Sequence, residues 1–120
     1  MGKIQPGELE PKGFVVANDS DAKRAYLLTH QLKRLNNPAC FITSSYAQYW
    51  PMIGPSNKNI GQEGVFDRVL CDVPCSGDGT ARKNMGIWRF WTTLGAFGLH
   101  TLQLSIALNG ARLTKVGKFS

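Results

Sequence analysis

The chain has 120 residues, 42% of them hydrophobic, with 14 basic side chains against 8 acidic ones. That length leaves room for one domain at most with a modest core, and the apolar fraction excludes an intrinsically disordered chain. No apolar run reaches membrane-spanning length and Met1-Gly2-Lys3-Ile4-Gln5-Pro6 carries no signal-peptide core, so a soluble protein kept inside the cell is expected.

A net charge of +6 favours a polyanionic partner such as RNA, although many small basic domains bind no nucleic acid. Cys40, Cys71 and Cys75 make an odd, sparse set that suggests no disulfide framework. Cys71 and Cys75 lie four apart with no second ligand pair nearby, so no metal site is expected.

In chain order, Met1 to Lys12 has prolines, glycines and no periodicity, and reads as a tail or linker before a single domain over 13–120. Phe14-Val15-Val16-Ala17 reads as a buried strand closed by Asn18-Asp19-Ser20. Asp21 to Leu35 follows with Ala25, Leu28, Leu32 and Leu35 at helical spacing and Lys23, Arg24, Lys33 and Arg34 mostly opposite. Ser20 or Asp19 is expected to cap this helix and Asn36-Asn37-Pro38 to stop it. Cys40-Phe41-Ile42-Thr43 is a second strand, and Ser44 to Gly64 a polar connection containing Tyr46, Tyr49 and Trp50. The clearest strand is Phe66 to Asp72, running into Val73-Pro74-Cys75 and then a glycine-rich turn. After the aromatic segment Ile87 to Trp91, Thr93 to Leu113 reads as one long helix with Leu94, Phe97, Thr101, Leu104 and Leu108 on its apolar stripe. Gly95, Gly98 and Gly110 weaken that helix, and Val116 to Ser120 could open another strand.

This alternation predicts an α/β fold with a parallel sheet, flanking helices and right-handed crossovers. Asn18-Asp19 and Asp72 to Cys75 then fall at strand carboxyl ends, where open parallel sheets bind ligands, so they are expected to share one crevice.

Each candidate residue has a functional and a structural reading. Asp19 can accept hydrogen bonds from ribose hydroxyls, or cap the following helix. Asp72, ending the most apolar strand, is expected to be part-buried and suited to the polar edge of a heterocycle, or to cap the turn. Pro74 fixes the backbone ahead of Cys75, while Gly77 and Gly79 leave space for a ligand to approach the main chain. Cys75 on such a loop can gain thiolate character, whereas Cys71 and Cys40 suit an inert, buried role. Arg82, Lys83, Arg89, Trp88 and Trp91 offer charge and stacking surface for RNA, or the tryptophans pack helix against sheet.

The run Leu70-Cys71-Asp72-Val73-Pro74-Cys75-Ser76-Gly77-Asp78-Gly79-Thr80, with Arg82-Lys83-Asn84 and Trp88, resembles the Pro-Cys motif of the Sun-type (Nop/Sun) RNA cytosine-carbon-5 methyltransferases. It looks closest to the eukaryotic tRNA-modifying branch. Gly13 to Asp19 with Arg24, then His30 to Leu35, resemble that family's second strand and helix; Trp91 to Leu94 and Leu99 to Leu104 resemble the helix after the motif. The resemblance covers about Leu9 to Ser120. It implies a Rossmann-like methyltransferase sheet, S-adenosyl-L-methionine as cofactor, RNA (a tRNA) as substrate, and a nuclear or nucleolar location. Cytosine carbon 5 is a poor nucleophile, so a thiolate adds to carbon 6 of a base drawn from its stack, and the resulting enamine attacks the sulfonium methyl group. Loss of the carbon-5 proton and expulsion of the thiolate complete the reaction. The attacking cysteine of the family lies in a later Thr-Cys segment, and the one matching Cys75 helps release the product. The resemblance gives Cys75 and Asp72 catalytic roles, Asp19, Asp72 and Pro74 cofactor contacts, and Arg82 and Lys83 RNA contacts.

The sequence departs from the family pattern in three places. The glycine-rich cofactor loop that precedes the strand at Phe14 is absent, Tyr46 aligns with an aspartate near the cofactor adenine, and the chain ends where the Thr-Cys segment should begin. The expectation is a central slice of the enzyme, inactive alone. Two alternatives stand beside it: Cys75 as the nucleophile itself, as in DNA cytosine methyltransferases, and a non-enzymatic RNA-binding or pseudoenzyme fragment.

Overall fold

The computed structural model of the chain describes residues 13–34, 38–53 and 64–117. The expected tail Met1–Lys12, the helix stop at Asn36-Asn37, the middle of the connection after Ser44, and Lys118 to Ser120 lie outside the described residues. The chain divides into two compact units, Met1–Ala47 and Gln48–Ser120.

The first unit is a strand–helix–strand unit. β1 (Val15–Asn18) and β2 (Cys40–Thr43) pair in parallel, with Val15 opposite Cys40 and Asn18 opposite Thr43. Both runs are rich in β-branched and aromatic residues, and the helix between them supplies the long crossover that a parallel connection needs. That crossover is α1 (Ala22–Lys33), which buries Ala25 and half-buries Leu28 and Leu32, while Lys23, Arg24, Lys33 and Arg34 face solvent. Its cap is Asp21 rather than Ser20 or Asp19. Asp21 is extended at φ −88° and ψ 114°, and its carboxylate accepts from the Lys23 and Arg24 amides. Asp19 stands one step further back and accepts from the Asp21 amide at 2.8 Å.

The second unit is organised on a helix rather than a sheet. The expected strand Phe66–Asp72 makes one parallel bridge, Phe66 to Thr114, and no ladder. A strand is stable only where a neighbouring strand satisfies its edge, and among the described residues of this segment only Phe66 takes part in such pairing. The segment runs along α4 (His100–Leu113) instead. Phe66 donates its amide to the Leu113 carbonyl at 3.1 Å, the Cys71 thiol lies 3.9 Å from the Ile106 carbonyl, and Gln103 reaches the Pro74 carbonyl at 2.8 Å. Partner numbers fall as the segment advances, so it is antiparallel to the helix.

The expected long helix is broken at Leu99 into α3 (Thr93–Gly98), capped by the Thr92 hydroxyl, and α4. Gly95 and Gly98 supply weak helical propensity where the break occurs. The buried face of α4 is Ile106, Asn109, Gly110 and Leu113. The apolar stripe marked by periodicity is the outer one: Leu94 is 83% exposed and Phe97 72%, with Leu104 and Leu108 also open. This part of the chain is apolar on more than one side, so helical periodicity alone does not select the buried face. Docking against Phe66–Pro74 selects it.

Candidate functional site

The first unit contributes Asp19 at the carboxyl end of β1. Its amide donates to the Thr43 carbonyl at 3.2 Å, continuing the β1–β2 pairing by one residue. Its Oδ1 accepts from the Asp21 amide at 2.8 Å and pairs with the Arg24 guanidinium at 3.0 Å. The side chain is 26% exposed. Asn18 beside it joins the two strand ends: its amide donates to the Ser45 carbonyl at 2.9 Å, and its oxygen accepts from the Thr43 hydroxyl at 2.9 Å and the Ser45 amide at 3.1 Å. Sequence reasoning grouped Asn18 with Asp19 but missed this fastening role. The signal was an amide side chain at a strand end, able to donate and accept at once. Tyr46 follows directly and is exposed.

The second unit contains Asp72, Pro74 and Cys75, with Arg82 and Lys83 on the turn that follows. Asp72 is exposed, not part-buried as expected, because the segment before it packs one side on α4 instead of lying inside a sheet. Cys75 is exposed and free, while Cys71 is half-covered by α4. On the far side of Cys75, the Ser76 hydroxyl donates to the Asp78 carboxylate at 2.5 Å, and that bond holds the carboxyl below its ordinary range. Gly77 turns the chain with φ +79°, a left-handed conformation that favours glycine. A β-carbon there would also lie 2.9 Å from Ile87 Cδ1. Thr80 closes the turn, its amide and hydroxyl both donating to the Gly77 carbonyl at 2.8 and 2.7 Å. The thiol of Cys75 is thus carried on a loop pinned before and after it.

Arg82 and Lys83 lie exposed on the turn that leads into α2 (Gly86–Phe90). Trp88 of that helix donates its indole N–H to the Ala81 carbonyl at 3.1 Å and leaves 74% of its surface exposed. Of the two roles open to Trp88, an outward stacking surface fits this exposure and inward packing against a sheet does not. No acidic residue occurs after Asp78, whereas Arg82, Lys83, Arg89, Arg112, Lys115 and Lys118 do.

The family model for the 16S rRNA methyltransferase RsmB/F matches residues 7–118. The chain belongs to the RsmB/F methyltransferase family. The match spans β1, Asp19, the Pro-Cys loop and α4. Among relatives, a multisite-specific tRNA:(cytosine-C(5))-methyltransferase of Saccharomyces cerevisiae is 50% identical over 108 residues, covering 88% of this chain and 16% of the relative. A protein of the same description from Schizosaccharomyces pombe is 48% identical, covering 88% of this chain and 17% of the relative. A tRNA (cytosine(34)-C(5))-methyltransferase of Drosophila melanogaster is 46% identical, covering 89% of this chain and 14% of the relative. The chain therefore spans under a fifth of the length of these RsmB/F-family relatives.

Proposed function

We propose that this chain is the cofactor-ribose and Pro-Cys portion of an S-adenosyl-L-methionine-dependent RNA cytosine-carbon-5 methyltransferase that acts on tRNA. The observation that carries the reading is the pinned loop, which leaves the Cys75 thiol exposed between two fixed neighbours. The tRNA-modifying relatives support the substrate class, and the parallel β1–α1–β2 unit supports a Rossmann-like sheet.

Asp19 fits a ribose. Two contacts hold Oδ1, and an unengaged carboxylate oxygen has two lone pairs, the acceptor capacity that a diol needs. Bound S-adenosyl-L-methionine supplies a methyl group made electrophilic by the sulfonium. The protein's own residues do the rest. Asp19 would accept the ribose hydroxyls and Pro74 would contact the cofactor, while Asp72, exposed at the loop entry, would accept from the amino edge of the target cytosine. Cys75 would serve at product release, its exposed side chain reaching the modified base. Arg82 and Lys83 hold phosphates, and Trp88 offers an outward face for a base.

The test measures binding of S-adenosylhomocysteine by calorimetry and of a tRNA by fluorescence anisotropy. Asp19→Ala is expected to abolish cofactor binding and spare tRNA. Arg82→Ala and Lys83→Ala are expected to weaken tRNA binding and each lower the salt slope by about 1. A chain that binds tRNA but no cofactor supports the pseudoenzyme reading, and one that binds neither ends the proposal.

A further inference from the structure

We infer that Gln103 is the positioning residue for Cys75, acting from α4 through the carbonyl of Pro74. The inference deepens the reading of the Pro-Cys loop given above and rests on it. Gln103 lies 29 residues from Pro74 in sequence, and its Nε2 meets the Pro74 carbonyl at 2.8 Å. A carbonyl oxygen only accepts, so the glutamine must present its amide nitrogen.

Proline has no N–H, so its carbonyl is its only main-chain hydrogen-bonding group. That carbonyl belongs to the same planar peptide as the amide of Cys75. A bond to the oxygen therefore fixes the plane from which the Cys75 Cα–Cβ bond departs. Gln103 leaves only rotation about the cysteine's own torsions. The anchor itself is firm: Ile106 and Gly110, one and two turns further along α4, hold the same segment at Cys71, and Leu113 is buried at the helix end. Downstream, the Ser76–Asp78 bond and the Gly77 turn against Ile87 restrict the other side. Among the described residues, the contact of Gln103 is the hydrogen bond that falls on the peptide preceding the thiol.

The test is site-resolved alkylation of the chain by iodoacetamide, with each cysteine quantified by mass spectrometry. It needs neither cofactor nor RNA, so its outcome is separate from that of the binding experiment. Gln103→Glu keeps size and removes the donors, and Gln103→Ala removes the contact. Both are expected to accelerate labelling of Cys75 about threefold or more while Cys40 and Cys71 stay within about 1.5-fold of the wild type. Ile106→Val serves as the control: it loosens the same helix face without touching the bond, and is expected to leave the Cys75 rate unchanged. An unchanged Cys75 rate in Gln103→Glu overturns the inference. So does equal acceleration at all three cysteines, or acceleration of Cys75 by Ile106→Val to the same degree.

Discussion

Gly110 of α4 stands where a β-carbon would overlap the sulfur of Cys71, with Val69 Cγ1 at 3.4 Å on the same side. The helix and the segment before the Pro-Cys loop approach this closely only because residue 110 has no side chain. The consequence is a specific coupling between two positions far apart in sequence.

Gly110→Ala gains helix propensity of about 1 kcal/mol but overpacks the contact, at a cost of about 1–3 kcal/mol. A net loss on the order of 1 kcal/mol is expected in urea unfolding. The double variant Gly110→Ala, Cys71→Ala is expected to regain most of it, because the second change removes the sulfur. Additive losses in the double-mutant cycle would show that the two positions are not coupled.

Asn18 holds three hydrogen bonds across the strand ends, all at exposed positions. Asn18→Ala is expected to cost about 1–2 kcal/mol, and to raise hydrogen exchange at the Ser45 amide. Asn18→Asp keeps both acceptor contacts but turns a carboxylate toward the Ser45 carbonyl, so its exchange at Ser45 should fall between wild type and alanine. Thermal melts and amide exchange of the three proteins measure both effects.

Lys115 donates to the Asp67 carboxylate at 2.8 Å, and this bond, with the charge of Lys115, holds the Asp67 carboxyl below its ordinary range. The folded value is thus lower than the unfolded one of about 3.9. The pair's contribution is present above that unfolded value and is lost as pH falls through the folded one. Both partners are exposed, so the effect on stability is small and the titration is the better observable. Carbon-detected titration of Lys115→Met is expected to return Asp67 to the ordinary range and leave Asp78 low. Ser76→Ala is expected to do the reverse.

The outer faces of α3 and α4 expose Leu94, Phe97, Leu104 and Leu108, and Leu70 is 95% exposed. Large apolar side chains left open to water in this number favour association. Sedimentation of the 120-residue chain is expected to show self-association that weakens in Leu94→Lys and Phe97→Lys. A monomer at all concentrations, with no change in the variants, would contradict this.

Much of the local structure was legible in the residues. The sequence pattern marks β2 with its observed bounds and β1 and α1 to within a few residues, and the run Asp72 to Thr80 carries the family by itself. These features are local: a β-branched run, a helical stripe and a Pro-Cys-Ser-Gly turn each act through neighbours a few residues away. Other outcomes depended on distant partners. Whether Phe66–Asp72 becomes a strand depends on a neighbouring edge; which side of α4 is buried depends on the missing side chain at Gly110; and Asp72 is exposed because its segment docks on a helix. Gln103 is the sharpest case. In sequence it is one of several polar residues of α4, and only the folded chain brings its amide to the carbonyl of Pro74, because a hydrogen bond between residues so far apart exists once packing has already placed both ends.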